Sequence, residues 1–204
     1  MTPTDPTQFL QEVVATLQRL DTDVLTEIEE RLFRAWRERR TVFVMGNGGS
    51  ASTASHFVCD LAKYTILPHK PRFRVIGLTD NVPLVSAWTN DAGWGSVYAE
   101  QMRAWIEPRD VLVGFSVHGG SGTGDAGPWS QNMVAAMHMA KETGAALLGF
   151  SGYDGGAMKE MADACAVVPV RVDALGTPIV EGVHVVLHHL IVHRLRERIA
   201  AEPT

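Results

Sequence analysis

The chain is poor in cysteine, in basic clusters and in long apolar runs, and each shortage removes a class of protein. Only Cys59 and Cys165 occur, with no CxxC spacing. A structural disulfide is therefore not expected, and two buried thiols in a reducing compartment is the better reading. No Lys/Arg-rich run or basic stripe interrupts a sequence of net charge −5. Nucleic-acid binding through phosphate neutralisation is disfavoured, while a small local anion site is not. The opening residues, MTPTDPTQFLQEV, carry no basic segment followed by an apolar core, so no secretory signal is expected. No run of about 18 apolar residues occurs, so no membrane span is expected, and the cytoplasm is the expected compartment. Internal repeats, low-complexity segments and inter-domain linkers are missing as well.

What is present is the composition of a soluble globular protein, 46% hydrophobic and 20% charged over 204 residues, enough for one sizeable domain. Residues 1–204 are expected to form a single domain, with helices over 1–40 and an α/β sandwich core over 41–204. From Thr7 to Arg40 the pattern is helical: Phe9, Leu10, Val13, Val14 and Leu17 repeat at 3/4 spacing. Asp21-Thr22-Asp23 then interrupts before Leu25, Ile28, Leu32 and Trp36. Short apolar runs follow at Thr41–Met45, Phe73–Gly77, Val111–Phe115, Ala145–Phe150 and Cys165–Val170, all but the last leading into a helical pattern. Five such strands alternating with helices predict a doubly wound, mostly parallel five-stranded sheet flanked by helices, with an N-terminal helical extension. A last helix is expected from about Pro178 to Ala200.

Four motifs carry chemistry. Gly46-Asn47-Gly48-Gly49-Ser50 lies between the first strand and an amphipathic helix. Glycines there let the backbone approach a ligand, and the helix N-terminus offers N–H groups to an anion or polyol. The motif is neither GxGxxG nor GxxxxGK[ST], which argues against dinucleotides and P-loop nucleotides. Ser116-Val117-His118-Gly119-Gly120-Ser121 lies at the end of another strand, on the sheet edge where open α/β sheets bind ligands. His56 and Asp60, at i and i+4, share a helix face and suit a divalent metal or acid–base work, although such a pair is also an ordinary surface contact. His184, His188, His189 and His193 crowd the last helix. Helical geometry groups Glu181, His184 and His188 in one stripe and sets His189 and His193 roughly 100° round, so not all four face one site.

Together these residues resemble the SIS-domain phosphoheptose isomerases. The resemblance spans nearly the whole chain, through GNGGS at 46–50, HFVCDL at 56–61, TNDAGWGSVY at 89–98, DVLVGFS at 110–116, SGYDGG at 151–156 and EGVHVVLHH at 181–189. It implies a homotetramer that isomerises sedoheptulose 7-phosphate to an aldoheptose 7-phosphate, commonly with zinc in the site. Carried over by position, Asn47, Gly48, Gly49 and Ser50 contact the sugar, and Asn90 and Asp91 bind its hydroxyls. Ser116, His118 and Ser121 hold the phosphate, while His56, Asp60, Glu181 and His189 fall on metal and catalytic positions. Asp60 and His189 are the catalytic pair this implies, and His189 is preferred to His188 on the resemblance alone.

Departures from the family cluster at the site. Its catalytic glutamate is Asp60 here, drawing a base back by about 1.5 Å, roughly one C–C bond. Its glutamine ligand is Glu181, and its middle phosphate hydroxyl is His118. Gly122–Ser130, with Asp125 and Trp129, reads as an insertion beside the phosphate loop. Two rivals stand beside the isomerase: a non-catalytic sugar-phosphate regulator or replication-initiator adaptor, and an isomerase acting on a different phosphosugar. The expected partner is a small-molecule sugar phosphate, with neither nucleic acid nor membrane.

Overall fold

A computed structural model describes residues 5–120 and 129–203. Helix α1 (Pro6–Leu17) starts where Asp5 accepts the Thr7 N–H at 2.9 Å and Pro6 occupies the first turn. Helix α2 (Thr22–Arg37) starts where the Asp21 carboxylate accepts the Asp23 N–H at 2.9 Å. Both are side-chain N-caps that satisfy donors the helix itself leaves unpaired. The predicted apolar positions Leu25, Ile28, Leu32 and Trp36 of α2 are all buried.

Five strands follow: β1 (Thr41–Gly46), β2 (Arg74–Gly77), β3 (Val111–Phe115), β4 (Ala146–Gly152) and β5 (Ala164–Val168). They form one parallel sheet in the order β2-β1-β3-β4-β5. Strand β5 stops before Val170 because Pro169 has no N–H for the ladder. Side chains alternate along buried β1. Val42 and Val44 join α2, α3 (Gly49–Cys59) and the last helix, α8 (Asp173–Ala201), in one core layer. Phe43 and Met45 pack in the other with Tyr98 and Met102 of α5 (Val97–Arg103), Met133 of α6 (Gln131–Thr143) and Met158 of α7 (Gly156–Met161). The remaining helix, α4 (Val82–Ala92), has no buried residue. The chain leaves β1 for β2 on one side and returns to lay β3 on the other, so the switch point falls between β1 and β3. Gly46 and Phe115, their last residues, are register partners there.

Two further expectations change. Helix α8 begins at Asp173 rather than Pro178, which sits inside it. Proline's fixed φ is already helical, and the bond it forfeits lies close to the helix start. By length and composition α8 is also apolar enough to cross a membrane, but half of its most apolar stretch is buried in this core. Finally, Cys59 is exposed, because α3 buries Thr53, Ala54 and Phe57 and turns the next positions outward. Cys165 is partly buried, which pushes its thiol up to about 12, and both cysteines are free.

The start of β1 is tied to the start of β3 by a buried carboxylate. Asp110 accepts the Thr41 N–H at 2.8 Å and the Glu107 N–H at 2.9 Å. Asp110→Ala orphans both donors and is expected to cost about 3 kcal/mol in urea unfolding, with Asp110→Asn losing less because its carbonyl keeps one bond.

Candidate active site

The two glycine-rich loops leave adjacent strands at the switch point and face one another. Asn47 is clamped there: its amide exchanges hydrogen bonds with Asn132 (2.8 and 3.0 Å), its oxygen accepts from the Tyr98 hydroxyl (2.9 Å), and its nitrogen reaches Ser130 (3.3 Å). Tyr98 also donates to the Gly46 carbonyl, and burial pushes its hydroxyl up to about 12, so it remains a donor. Across the gap the buried Ser116 hydroxyl accepts the Gly119 N–H at 3.0 Å and closes the second loop. Gly119 has φ +69°, and a Cβ there would lie 1.8 Å from the Gly155 carbonyl oxygen, so the turn requires glycine. Between the loops is a cavity of about 140 Å³ lined by Asn47, Ser50, Ser116, His118, Ser130 and Glu181, among others. His118 stacks on Tyr153 with centroids 4.5 Å apart and meets Trp129 edge-on at 5.9 Å, giving the mouth an aromatic wall.

The ionisable corner lies farther along α3. His56 and Asp60 come from that helix, which widens into a π turn over Asp60–Tyr64, a distortion common at functional sites. Asp60 Oδ2 is 3.7 Å from His56 Nε2, 3.7 Å from His188 Nδ1 and 3.1 Å from His189 Nδ1. Of the four clustered histidines, His188 and His189 therefore straddle Asp60, one ring fully buried and the other half-exposed. His184 instead donates from Nε2 to the Ser151 carbonyl (3.1 Å) between Phe115 and Phe150. His193 turns outward to Tyr64 (3.2 Å).

Donor atoms of His56, Asp60, His188 and His189 all lie within 4.8 Å of one another. Ligands of a tetrahedral zinc at ordinary bond lengths stand about 3.4 Å apart, so the three contacts to Asp60 bracket that spacing. Among the described residues both ring nitrogens of His188 are buried without a hydrogen-bond partner, a state native proteins seldom leave unexplained. Burial, and then the neighbouring imidazoles of His189, His56 and His184, pushes His188 down to about 3. It stays neutral, as a metal ligand must. The residues fit a divalent cation.

Other expected residues fall elsewhere. The Glu181 carboxylate is not in this cluster; it lies against Gly49, where a Cβ would be 2.4 Å from Oε1, and lines the loop cavity. Gly48 and Gly49 are exposed at the loop. Asn90 and Asp91 are exposed on α4, bonded to each other at 2.8 Å, and do not line the cavity. Ser121 and most of the insertion, with Asp125, lie outside the described residues; Trp129 and Ser130 at its end line the cavity. Asn132 lies in no motif of the sequence, and although Tyr98 and Tyr153 fall inside the motifs of the family resemblance, no spacing marks them as the residues that hold the loops.

A larger cleft of about 440 Å³ opens at the opposite edge of the sheet, beneath α2. Of its four cations, Arg109 pairs with Glu38, Lys141 with Asp163 at 3.2 Å and Arg31 with Glu27 at 2.7 Å. The carboxyl ends of α2 and α6 gather there, where cations offset the helix dipoles. The glycine-rich loops and the histidine–aspartate cluster are at the other edge.

Polar loops at the switch point and ionisable groups on the flanking helices define a doubly wound small-ligand-binding protein. The model of the SIS domain matches residues 8–152, and the chain belongs to the SIS domain family. It is 42% identical over 190 residues to the lincomycin biosynthesis protein LmbN of Streptomyces lincolnensis, covering 91% of this chain and 68% of that one. It is 31% identical over 192 residues to the phosphoheptose isomerase of Geotalea daltonii, covering 94% and 93%. The structure of a phosphoheptose isomerase from Francisella tularensis matches with a TM-score of 0.79 at 22% identity over 93% of each chain, which speaks for the fold.

Burial holds His184 neutral, moving it from 6.5 down to about 4. The unfolded chain takes up that proton near 6.5 and the folded chain only near 4, so stability from this group is full above the window and lost as pH falls through it. The loss is on the order of 3 kcal/mol. Urea midpoints followed from pH 7 to 4 are expected to fall, and less steeply in His184→Leu.

Proposed function

We propose that the protein is a cytoplasmic phosphosugar aldose–ketose isomerase. Its substrate is sedoheptulose 7-phosphate or a close variant, and its product D-glycero-D-manno-heptose 7-phosphate or the corresponding aldose. The observation that carries the reading is the pairing of Asp60 with His189 at 3.1 Å, on helices that also border a polar cavity at the switch point.

An aldose–ketose isomerase moves a proton between adjacent carbons through an enediol, and needs a base at carbon and a donor at oxygen. His189 Nδ1 faces the Asp60 carboxylate, and the ring is half-exposed, which leaves Nε2 to take and return the proton. Asp60 orients that ring and stabilises its protonated form. Asn47, Gly48, Gly49 and Ser50 hold the sugar, and Ser116, His118 and Ser121 hold the phosphate. Binding energy remote from the reacting carbons then orients them. Zinc held at the histidine–aspartate corner would supply positive charge to the developing oxyanion.

A homotetramer belongs to the same proposal. Leu10 and Val14 on α1 and Val186 and Leu190 on α8 are exposed, and α4 buries nothing within one chain. Asn90 and Asp91, on α4, would serve the sugar hydroxyls once that helix is covered. A variant substrate is favoured by the aromatic wall of His118, Tyr153 and Trp129 and by the similarity to a lincomycin biosynthesis protein.

The test is turnover of sedoheptulose 7-phosphate and related ketose phosphates, read as aldose formed. His189→Ala is expected to lose at least ~100-fold in turnover with its circular dichroism and melting unchanged. Near-normal turnover in that variant would remove His189 from the chemistry.

A further inference from the structure

Two facts about α8 do not fit a metal set made of His56, Asp60, Glu181 and His189. The first is Glu181. It stands two turns before His189, and its carboxylate lies against Gly49 in the loop cavity rather than among the imidazoles. The second is His188. Its ring is fully buried, packs edge-on to His56 at 4.7 Å and to Phe57 at 5.9 Å, and holds Nδ1 3.7 Å from Asp60 Oδ2. Neither of its nitrogens has a hydrogen-bond partner among the described residues. A histidine kept only for packing would be better replaced by an apolar side chain, since unpaired buried polar atoms cost stability.

We propose that His188 is a metal ligand, completing with His56 and Asp60 a three-ligand centre in place of Glu181. Three protein ligands with one open position is the arrangement of catalytic rather than structural zinc sites. The assignment rests on the reading of this corner as the isomerase's metal-bearing site and resolves a conflict within it. With His188 bound to the ion, His189 is released from coordination and keeps its contact to Asp60 for proton transfer. Glu181 becomes a carboxylate of the sugar cavity, able to accept hydrogen bonds from hydroxyls.

The test is zinc binding by the full chain, measured by competition with a chromophoric chelator, with cobalt substituted to read coordination from its visible spectrum. His188→Leu is expected to weaken zinc by ~100-fold or more, beyond what loss of an outer-shell partner costs, and to change the cobalt bands. Glu181→Gln is expected to stay within about threefold of the parent, with unchanged bands. Melting in excess chelator controls for folding: His188→Leu should be at least as stable as the metal-free parent, because two unpaired nitrogens are gone. His188→Gln, polar and of similar volume, serves if the leucine variant does not fold. Zinc affinity retained in the His188 variants, a large loss in Glu181→Gln, or no tight zinc in the parent would each overturn the assignment. None of these readouts is turnover, so failure here is separable from failure of the isomerase reading.

Discussion

One buried hydrogen bond sets where the site's last helix stands. His184 donates to the carbonyl of Ser151, near the end of β4, at 3.1 Å. Its ring is wedged against Phe115 and Phe150, themselves stacked at 4.6 Å. That contact fixes the axial position and rotation of α8 against the carboxyl edge of the sheet. Each residue of a helix advances about 1.5 Å and turns 100°, so one pinned residue places the others. Glu181 comes over Gly49, one turn earlier, and His188 and His189 come over Asp60, one turn later. A slip of one residue would exchange buried for exposed histidine. Farther along, the buried Glu29 of α2 reinforces the register, pairing with Arg194 and with Arg198 at 3.3 Å, while Arg198 also lies 4.0 Å over the Phe33 ring.

The opposite wall is built from the backbone. Because β1 and β3 are parallel neighbours ending on register partners, their loops meet without a long connection. The polar groups in this wall are held rather than free: Asn47 by Tyr98, Asn132 and Ser130, and Ser116 by Gly119. A preset loop loses little entropy on binding, which favours affinity for a small polar ligand. The cavity also carries a carboxylate, Glu181, and an imidazole, His118. Its charge pattern thus departs from a plain hydroxyl-lined phosphate cradle, at the positions where the sequence departs from the family.

Much of this is legible in the sequence, for physical reasons. Strands buried on both faces appear as short apolar runs, and the glycine-rich turns that end the first and third of them mark the ligand edge. The pairing of His56 with Asp60 follows from i,i+4 geometry, and so does the inference that four histidines cannot share one face. What stays hidden depends on tertiary placement. Spacing does not decide whether His188 or His189 faces Asp60, because the carboxylate sits at the boundary between their two stripes and meets both. Glu181 reads as a metal ligand by position, yet the closeness of Gly49 draws it to the loop. The start of α8 is displaced in the sequence reading because proline signals a helix start more often than an early interior position.

The proton that the proposed isomerase reaction assigns to the histidine–aspartate corner moves between neighbouring carbons of a ketose phosphate. Deuterium entry at the carbon next to the carbonyl tests that transfer most directly. The protein, with its metal content quantified, is incubated with sedoheptulose 7-phosphate in deuterium oxide, and the sugars are followed by NMR. Aldose phosphate bearing deuterium at C2 is expected if the half-exposed His189 exchanges its proton with solvent during the enediol's lifetime. Sugar phosphate bound but recovered unchanged, with no label and no aldose across the ketose phosphates tried, would contradict the proposed reaction and leave a binding protein in its place.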